Sequence, residues 1–179
     1  MGILISHLWN SILGSKERKI VIVGLDNAGK STILYQLLLG QAIQIQPTIG
    51  SNVEEIKYKN IKFIIWDLGG QTSLRQSWST YYKSTSAVIL VIDSTDKERI
   101  EISKDELSKI MNDDSLKDSL LLVFANKQDI ENSMTPSEIS NLLGLINFKD
   151  RAWHIQGCCG LTGDGLYKGL DWIVSSLNK

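Results

Sequence analysis

Between a β-branched run that ends at Val23 and a stretch of helical period that begins at Lys30, the chain reads Gly24-Leu25-Asp26-Asn27-Ala28-Gly29-Lys30-Ser31. This is the pattern GxxxxGK[ST] in the strand, loop and helix setting that it requires, and no other feature restricts the fold so strongly. Glycines let the backbone turn its N–H groups inward around an anion, and the following helix adds its positive N-terminus. Lys30 would reach the β- and γ-phosphate oxygens as a point charge. The Ser31 hydroxyl offers a ligand to Mg²⁺, with Thr32 beside it in the first helical turn.

The rest of the chain alternates short β-branched runs with longer stretches of helical period, which is how α/β sheets are written. Strands are predicted at Lys19–Val23, Asn52–Tyr58, Ile61–Asp67, Ala87–Asp93, Leu120–Asn126 and Trp153–Gln156. Helices are predicted at Lys30–Leu39, Ser73–Tyr82, Arg99–Met111, Pro136–Leu143 and Leu166–Leu177. The unbroken apolar runs Val88–Ile92 and Leu120–Phe124 belong at the centre of a parallel sheet covered on both faces. Asn52–Tyr58 interleaves Glu and Lys with apolar residues and meets Ile61 through a Lys-Asn turn, so it reads as an antiparallel edge strand. The expected fold is α/β: a P-loop NTPase with a six-stranded, mostly parallel sheet, one antiparallel edge strand and helices on both faces.

A length of 179 residues, 42% of them hydrophobic, describes one soluble globular domain spanning 1–179. A net charge of −1 gives no whole-domain field that would attract nucleic acid. The two cysteines, Cys158 and Cys159, are neighbours with no metal-ligand spacing around them; they suit a reducing compartment and argue against zinc. The apolar runs fall far short of the roughly 20 residues that cross a bilayer.

Two further segments sharpen the chemistry. Asp67-Leu68-Gly69-Gly70-Gln71 brings an acid that can hold Mg²⁺ through water, a Gly70 N–H free to face a γ-phosphate, and an amide that can orient water. Asp67 taken alone has a second reading, as a helix cap. Asn126-Lys127-Gln128-Asp129 follows a buried strand, at the carboxyl end where α/β sheets bind ligands. Guanine presents N1–H and N2–H₂ as paired donors that the Asp129 carboxylate can accept. Adenine has an acceptor at N1 and would leave that carboxylate unpaired, which discriminates strongly. Asn126 would bridge this loop to the phosphate loop, and the Lys127 stem would cover one face of the base.

With these segments, the chain resembles the small GTPases and, more closely, the ADP-ribosylation factor family. Pro47-Thr48-Ile49-Gly50, Trp66–Gln71, Asp93–Ile100 and Gly163–Trp172 carry the likeness over the whole length, and Ser51–Ile56 with Trp153–Cys159 is similar to the Arf-like subgroup numbered five. The resemblance implies a GTP-binding, slowly hydrolysing switch that cycles between GDP and GTP with Mg²⁺. It gives Thr48 the role of completing Mg²⁺ coordination when the γ-phosphate is present, Gln71 that of positioning water, and Cys159 and Gly160 a place beside guanine, where the Gly160 N–H would meet the base oxygen. A plain strand-to-helix turn is the other reading of Cys159 and Gly160. Asp26 is expected in this branch and is not an inactivating change. No arginine stands in the phosphate loop, and Arg75 reads as a surface or partner contact.

The resemblance also implies partners: an exchange factor, an activating protein that supplies an arginine, and membrane-tethering or trafficking effectors. Ser51 stands where phenylalanine is often found and would form the effector surface with Trp66 and Tyr81; as ordinary core aromatics, the last two have a second reading. Met1-Gly2-Ile3-Leu4-Ile5-Ser6 fits the N-myristoylation pattern at Gly2. Ile5, Leu8, Trp9, Ile12 and Leu13 recur at helical spacing, so residues 1–14 are expected to form an amphipathic helix for a membrane surface or, alternatively, for the core. The resemblance to the subgroup implies a cytoplasmic location, reversibly associated with intracellular membranes of the Golgi and trans-Golgi network. A P-loop kinase and a scaffold that binds GTP with hardly any turnover are the competing readings.

Overall fold

The structure is a computed structural model, and it describes residues 16–40 and 48–179. Gly2 and the expected N-terminal helix lie outside them. In chain order the elements are β1 (Lys16–Val23), α1 (Lys30–Leu39), β2 (Ser51–Tyr58), β3 (Ile61–Leu68), α2 (Thr72–Arg75), a 3₁₀ turn (Trp78–Tyr81), β4 (Ala87–Asp93), α3 (Ile100–Met111), β5 (Leu120–Asn126), α4 (Pro136–Leu143), β6 (Trp153–Gly157) and α5 (Leu166–Leu177). Six strands pair in the order β2-β3-β1-β4-β5-β6. All neighbours run parallel except β2 and β3, whose hairpin forms the expected antiparallel edge.

Alternation along the strands builds two cores, one on each face of the sheet. Ile20 and Ile22 of β1 join Ile33, Phe63, Ile65, Ile89, Phe124, Leu170 and Ile173 beneath α1 and α5. Val21 and Val23 join Leu90, Ile92, Leu107, Ile110, Val123, Ile139 and Leu143 beneath α3 and α4. Every residue of β4 is buried, as befits a strand covered on both sides. β1 lies between β3 and β4, so the chain departs to opposite sides of it, and the carboxyl end of β1 opens at the point where the sheet's winding reverses.

Two elements differ from the sequence reading by more than one residue at an end. β1 begins at Lys16 rather than Lys19, because β3 continues far enough for Lys16 to pair opposite Ile61. The helix expected over Ser73–Tyr82 is instead the single turn Thr72–Arg75 followed by the 3₁₀ turn Trp78–Tyr81. Side-chain bonds to backbone explain the break: Trp78 Nε1 donates to Gly69 O at 2.9 Å and Arg75 Nε donates to Gly70 O at 2.9 Å, drawing the segment back onto the end of β3.

Candidate nucleotide-binding site

The motif loops that follow β1, β3, β5 and β6 leave the carboxyl ends of their strands and meet around the turn after β1, joined by the segment that enters the antiparallel β2. That turn runs from Gly24 to α1 through left-handed backbone at Asn27 and Gly29. Gly29 precedes the helix with no side chain capping it, and the first N–H groups of a helix have no intrahelical acceptor, so this N-terminus is open to an anion. A Cβ on Gly29 would stand 2.4 Å from Asn126 Nδ2, so glycine here makes room for the loop after β5. Lys30 is buried, and its ammonium donates to Leu25 O at 3.0 Å across the loop. Burial lowers its pKa to about 8, against the opposing pull of Asp67 and Asp26.

Ser31, Thr48 and Asp67 converge beside this lysine. The two hydroxyls lie 2.8 Å apart; Asp67 Oδ2 accepts from Ser31 and, at 3.3 Å, from Thr48. Burial pushes the Asp67 carboxyl above its ordinary value, opposed by those hydroxyls and Lys30. Asp67 Oδ1 is buried with no hydrogen-bond partner among the described residues. An unpaired buried carboxylate oxygen beside two hydroxyls is the donor set of a hard cation, and these residues fit Mg²⁺.

The segment after β3 is pressed onto the phosphate loop. Asp26 N–H donates to Gly70 O at 3.1 Å, and a Cβ on Gly70 would approach Asp26 N and Leu25 C to 2.4 Å. Gly69 N–H donates to Gly50 O at 2.9 Å, tying this segment to the one that carries Thr48. Gln71 is exposed at the N-terminus of α2. Arg75, expected as a surface or partner contact, is instead largely buried, with its side chain 10% exposed and turned back to Gly70. Asp26 is gripped by Arg99, whose Nη1 donates to its carboxylate at 3.0 Å and whose Nη2 donates to its carbonyl at 3.2 Å. Sequence reasoning missed Arg99 and its partner Asp96 as supports of the phosphate loop, because the contact spans 73 residues.

On the base side, Asn126 Nδ2 donates to Ala28 O at 2.9 Å, the expected bridge between the two loops. Lys127 has left-handed backbone, and its ammonium donates to Asp93 at 2.5 Å, so the extended stem is held in place. Burial raises the Asp93 pKa, but the Lys127 and Thr95 hydrogen bonds outweigh it and hold the carboxyl below its usual range. Asp129 is exposed, and its carboxylate has no hydrogen bond among the described residues. Cys159 and Gly160 are buried alongside. The Gly160 N–H, which the sequence reading assigned to a base oxygen, donates here to Asn126 Oδ1 at 2.9 Å. It thus links the β6 loop to the asparagine that bridges to the phosphate loop.

Elsewhere, the Trp66 and Tyr81 rings lie 5.5 Å apart, half-buried against the α3-side core, so the core reading and the surface reading describe two sides of one pair. Lys19 Nζ sits 5.1 Å from the Trp66 ring centre and donates to Tyr81 O. Ser51 is exposed at the start of β2 and pairs opposite Leu68, whereas exposed Val53, which the sequence reading did not assign to the effector surface, pairs opposite Trp66.

The sequence profile of the ADP-ribosylation factor family matches residues 4–177. The chain belongs to that family. It is 53% identical over 177 residues to ADP-ribosylation factor-like protein 5A of Homo sapiens, covering 99% of this chain and 98% of the relative. It is 51% identical over 176 residues to ADP-ribosylation factor-like protein 5 of Dictyostelium discoideum, covering 98% and 96%. These identities support the Arf-like subgroup numbered five. Among solved structures it is similar to the Arl6 BBS3 small GTPase from Trypanosoma brucei with bound nucleotide analogue GppNp, with a TM-score of 0.84 and 31% identity over 91% of this chain and 98% of that one. The chain is thus a small GTPase that binds guanine nucleotide and hydrolyses GTP.

Proposed function

We propose that the chain is a GDP/GTP switch that recruits effectors to an intracellular membrane in vesicle trafficking. The observation that carries the reading is the convergence of Ser31, Thr48 and Asp67 with the Gly70 segment. The phosphate loop and two separate loops meet at one point, so a third phosphate there is read by both. In this reading residues Gly24 to Thr32, Thr48, Gly70, Asn126, Lys127, Asp129, Cys159 and Gly160 hold the nucleotide. Ser31 and Thr48, with Asp67 through water, would hold Mg²⁺, which would neutralise charge on the phosphates. Gln71 orients the attacking water, and with no arginine among the residues of the phosphate loop, turnover stays slow until an activating protein supplies one. Ser51, Trp66 and Tyr81, joined by Val53, form the effector surface, and an exchange factor releases GDP.

Membrane attachment rests on Gly2 and the apolar residues that follow it in the sequence. A single myristoyl chain binds only marginally, so the helix must contribute the second signal. A Golgi location is supported by likeness to the Arf-like subgroup alone. A pull-down from cell lysate with the chain loaded with GDP or a non-hydrolysable GTP analogue tests the switch. Gln71→Leu should retain GTP and lose stimulated hydrolysis. Identical partner sets for both nucleotides would refute switching, and stimulated turnover equal to the parent's would remove Gln71 from its role.

A further inference from the structure

The short helix α2, which starts just after Gln71, has no fully buried residue, and its one apolar side chain, Leu74, is only half-buried. Arg75 ties it down through hydrogen bonds. Its Nε donates to Gly70 O at 2.9 Å and its Nη2 to Thr72 Oγ1 at 3.1 Å, while its backbone N–H donates to Gln71 O at 3.2 Å. Gly70 O also accepts from the Asp26 N–H. The carbonyl of Gly70 and the N–H of Gln71 belong to one rigid peptide plane, so two donors on that oxygen fix the plane from which the Gln71 side chain departs.

The arginine is braced from a third element. Glu106 lies on the buried face of α3 with Ser103, Leu107 and Ile110, an unusual place for an acid on an amphipathic helix. Its side chain is 10% exposed, and its Oε1 stands 3.8 Å from Arg75 Nη1. Its other partner is the exposed Lys109 at 3.0 Å. A carboxylate so placed is costly unless it is paired, and its ion pair with Arg75 sets an opposite charge on the α3 side of the guanidinium while the Gly70 carbonyl accepts from the other. Arg75 Nη2 also stands 3.8 Å from Asp26 Oδ1, so one side chain spans the phosphate loop, the Gln71 turn and α3.

We propose that Arg75, braced by Glu106, is a positioning residue for GTP hydrolysis, setting the Gln71 turn without touching the nucleotide. The proposal deepens the function given above and rests on Gln71 as the residue that orients water. Lysine cannot replace the arginine, because a single ammonium cannot bond the Gly70 carbonyl and meet both carboxylates in the fixed geometry of the guanidinium fork.

The test compares the full chain with Gln71→Leu, Arg75→Lys, Arg75→Ala, Glu106→Gln and the Arg75→Ala/Glu106→Gln double variant. Single-turnover phosphate release from the GTP-loaded protein with Mg²⁺ is measured together with GDP affinity and hydrogen exchange. Arg75→Lys and Glu106→Gln should each slow hydrolysis by about tenfold or more, with GDP affinity within about twofold of the parent. The amides of Leu74 and Arg75, which donate to Gln71 O, should exchange faster while those of β4 do not. The double variant should be no slower than Arg75→Ala, because the two residues act through one contact. Parent-like hydrolysis in both Arg75→Lys and Glu106→Gln, with Gln71→Leu impaired, overturns this proposal alone. Loss of GDP affinity in step with hydrolysis, or multiplying effects in the double variant, also overturns it. Parent-like hydrolysis in Gln71→Leu overturns the Gln71 reading and this proposal with it.

Discussion

A change of pH acts on this site through Lys30. Burial lowers its pKa from 10.5 to about 8. Between those values the unfolded chain holds the extra proton, so the stability of the nucleotide-free protein rises with pH through that window; below pH 8 the buried ammonium costs about 3 kcal/mol. Phosphate oxygens reverse the preference, because they stabilise the ammonium and raise its pKa in the complex. Nucleotide binding above pH 8 therefore takes up a proton, and affinity falls as the pH climbs. With a free-state pKa of about 8, the protonated fraction drops from about nine-tenths at pH 7 to about a quarter at pH 8.5, and GDP binding should weaken about fourfold. This range stays below the ionisation of guanine N1–H. Competition binding at fixed Mg²⁺ measures the slope, and calorimetry in buffers of differing ionisation enthalpy counts the proton. Lys30→Gln should bind weakly with a flat profile. A parent that is equally flat, or a Lys30→Gln variant with the parent's slope, would refute the reasoning.

Asp129→Asn should shift preference from guanine to xanthine nucleotides, whose extra oxygen accepts from the new amide; competition with GDP and XDP checks it, and unchanged guanine preference would remove Asp129 from base recognition. Gly70→Ala drives a Cβ to within 2.4 Å of the phosphate-loop backbone and should lower the stability of the folded chain by about 1–3 kcal/mol, visible as a lower Tm with GDP bound. Gly2→Ala should release the protein from membranes, and the acylated parent should float with liposomes more completely in its GTP form than in its GDP form. Equal flotation of both forms would mean that the anchor is not gated by nucleotide.

The phosphate loop, the Asp67 to Gln71 segment and the Asn126 to Asp129 loop were legible because each is a run of adjacent residues whose chemistry depends on local spacing. The parallel centre and the antiparallel edge were legible for the same reason, since a strand buried on both faces has to be apolar throughout while an exposed edge alternates. What the tertiary structure alone decided are contacts between residues far apart in the chain. Arg99 reaches Asp26 across 73 positions, Glu106 of α3 meets Arg75, and the Gly160 N–H turns to Asn126 rather than outward. The break in the helix expected over Ser73–Tyr82 has the same origin. Its local periodicity favours one helix, but the carbonyls of Gly69 and Gly70, brought alongside by the end of β3, accept from Trp78 and Arg75 and bend the backbone toward them. Helical period reports which residues share a face; it carries no information about an acceptor that another part of the fold places within reach.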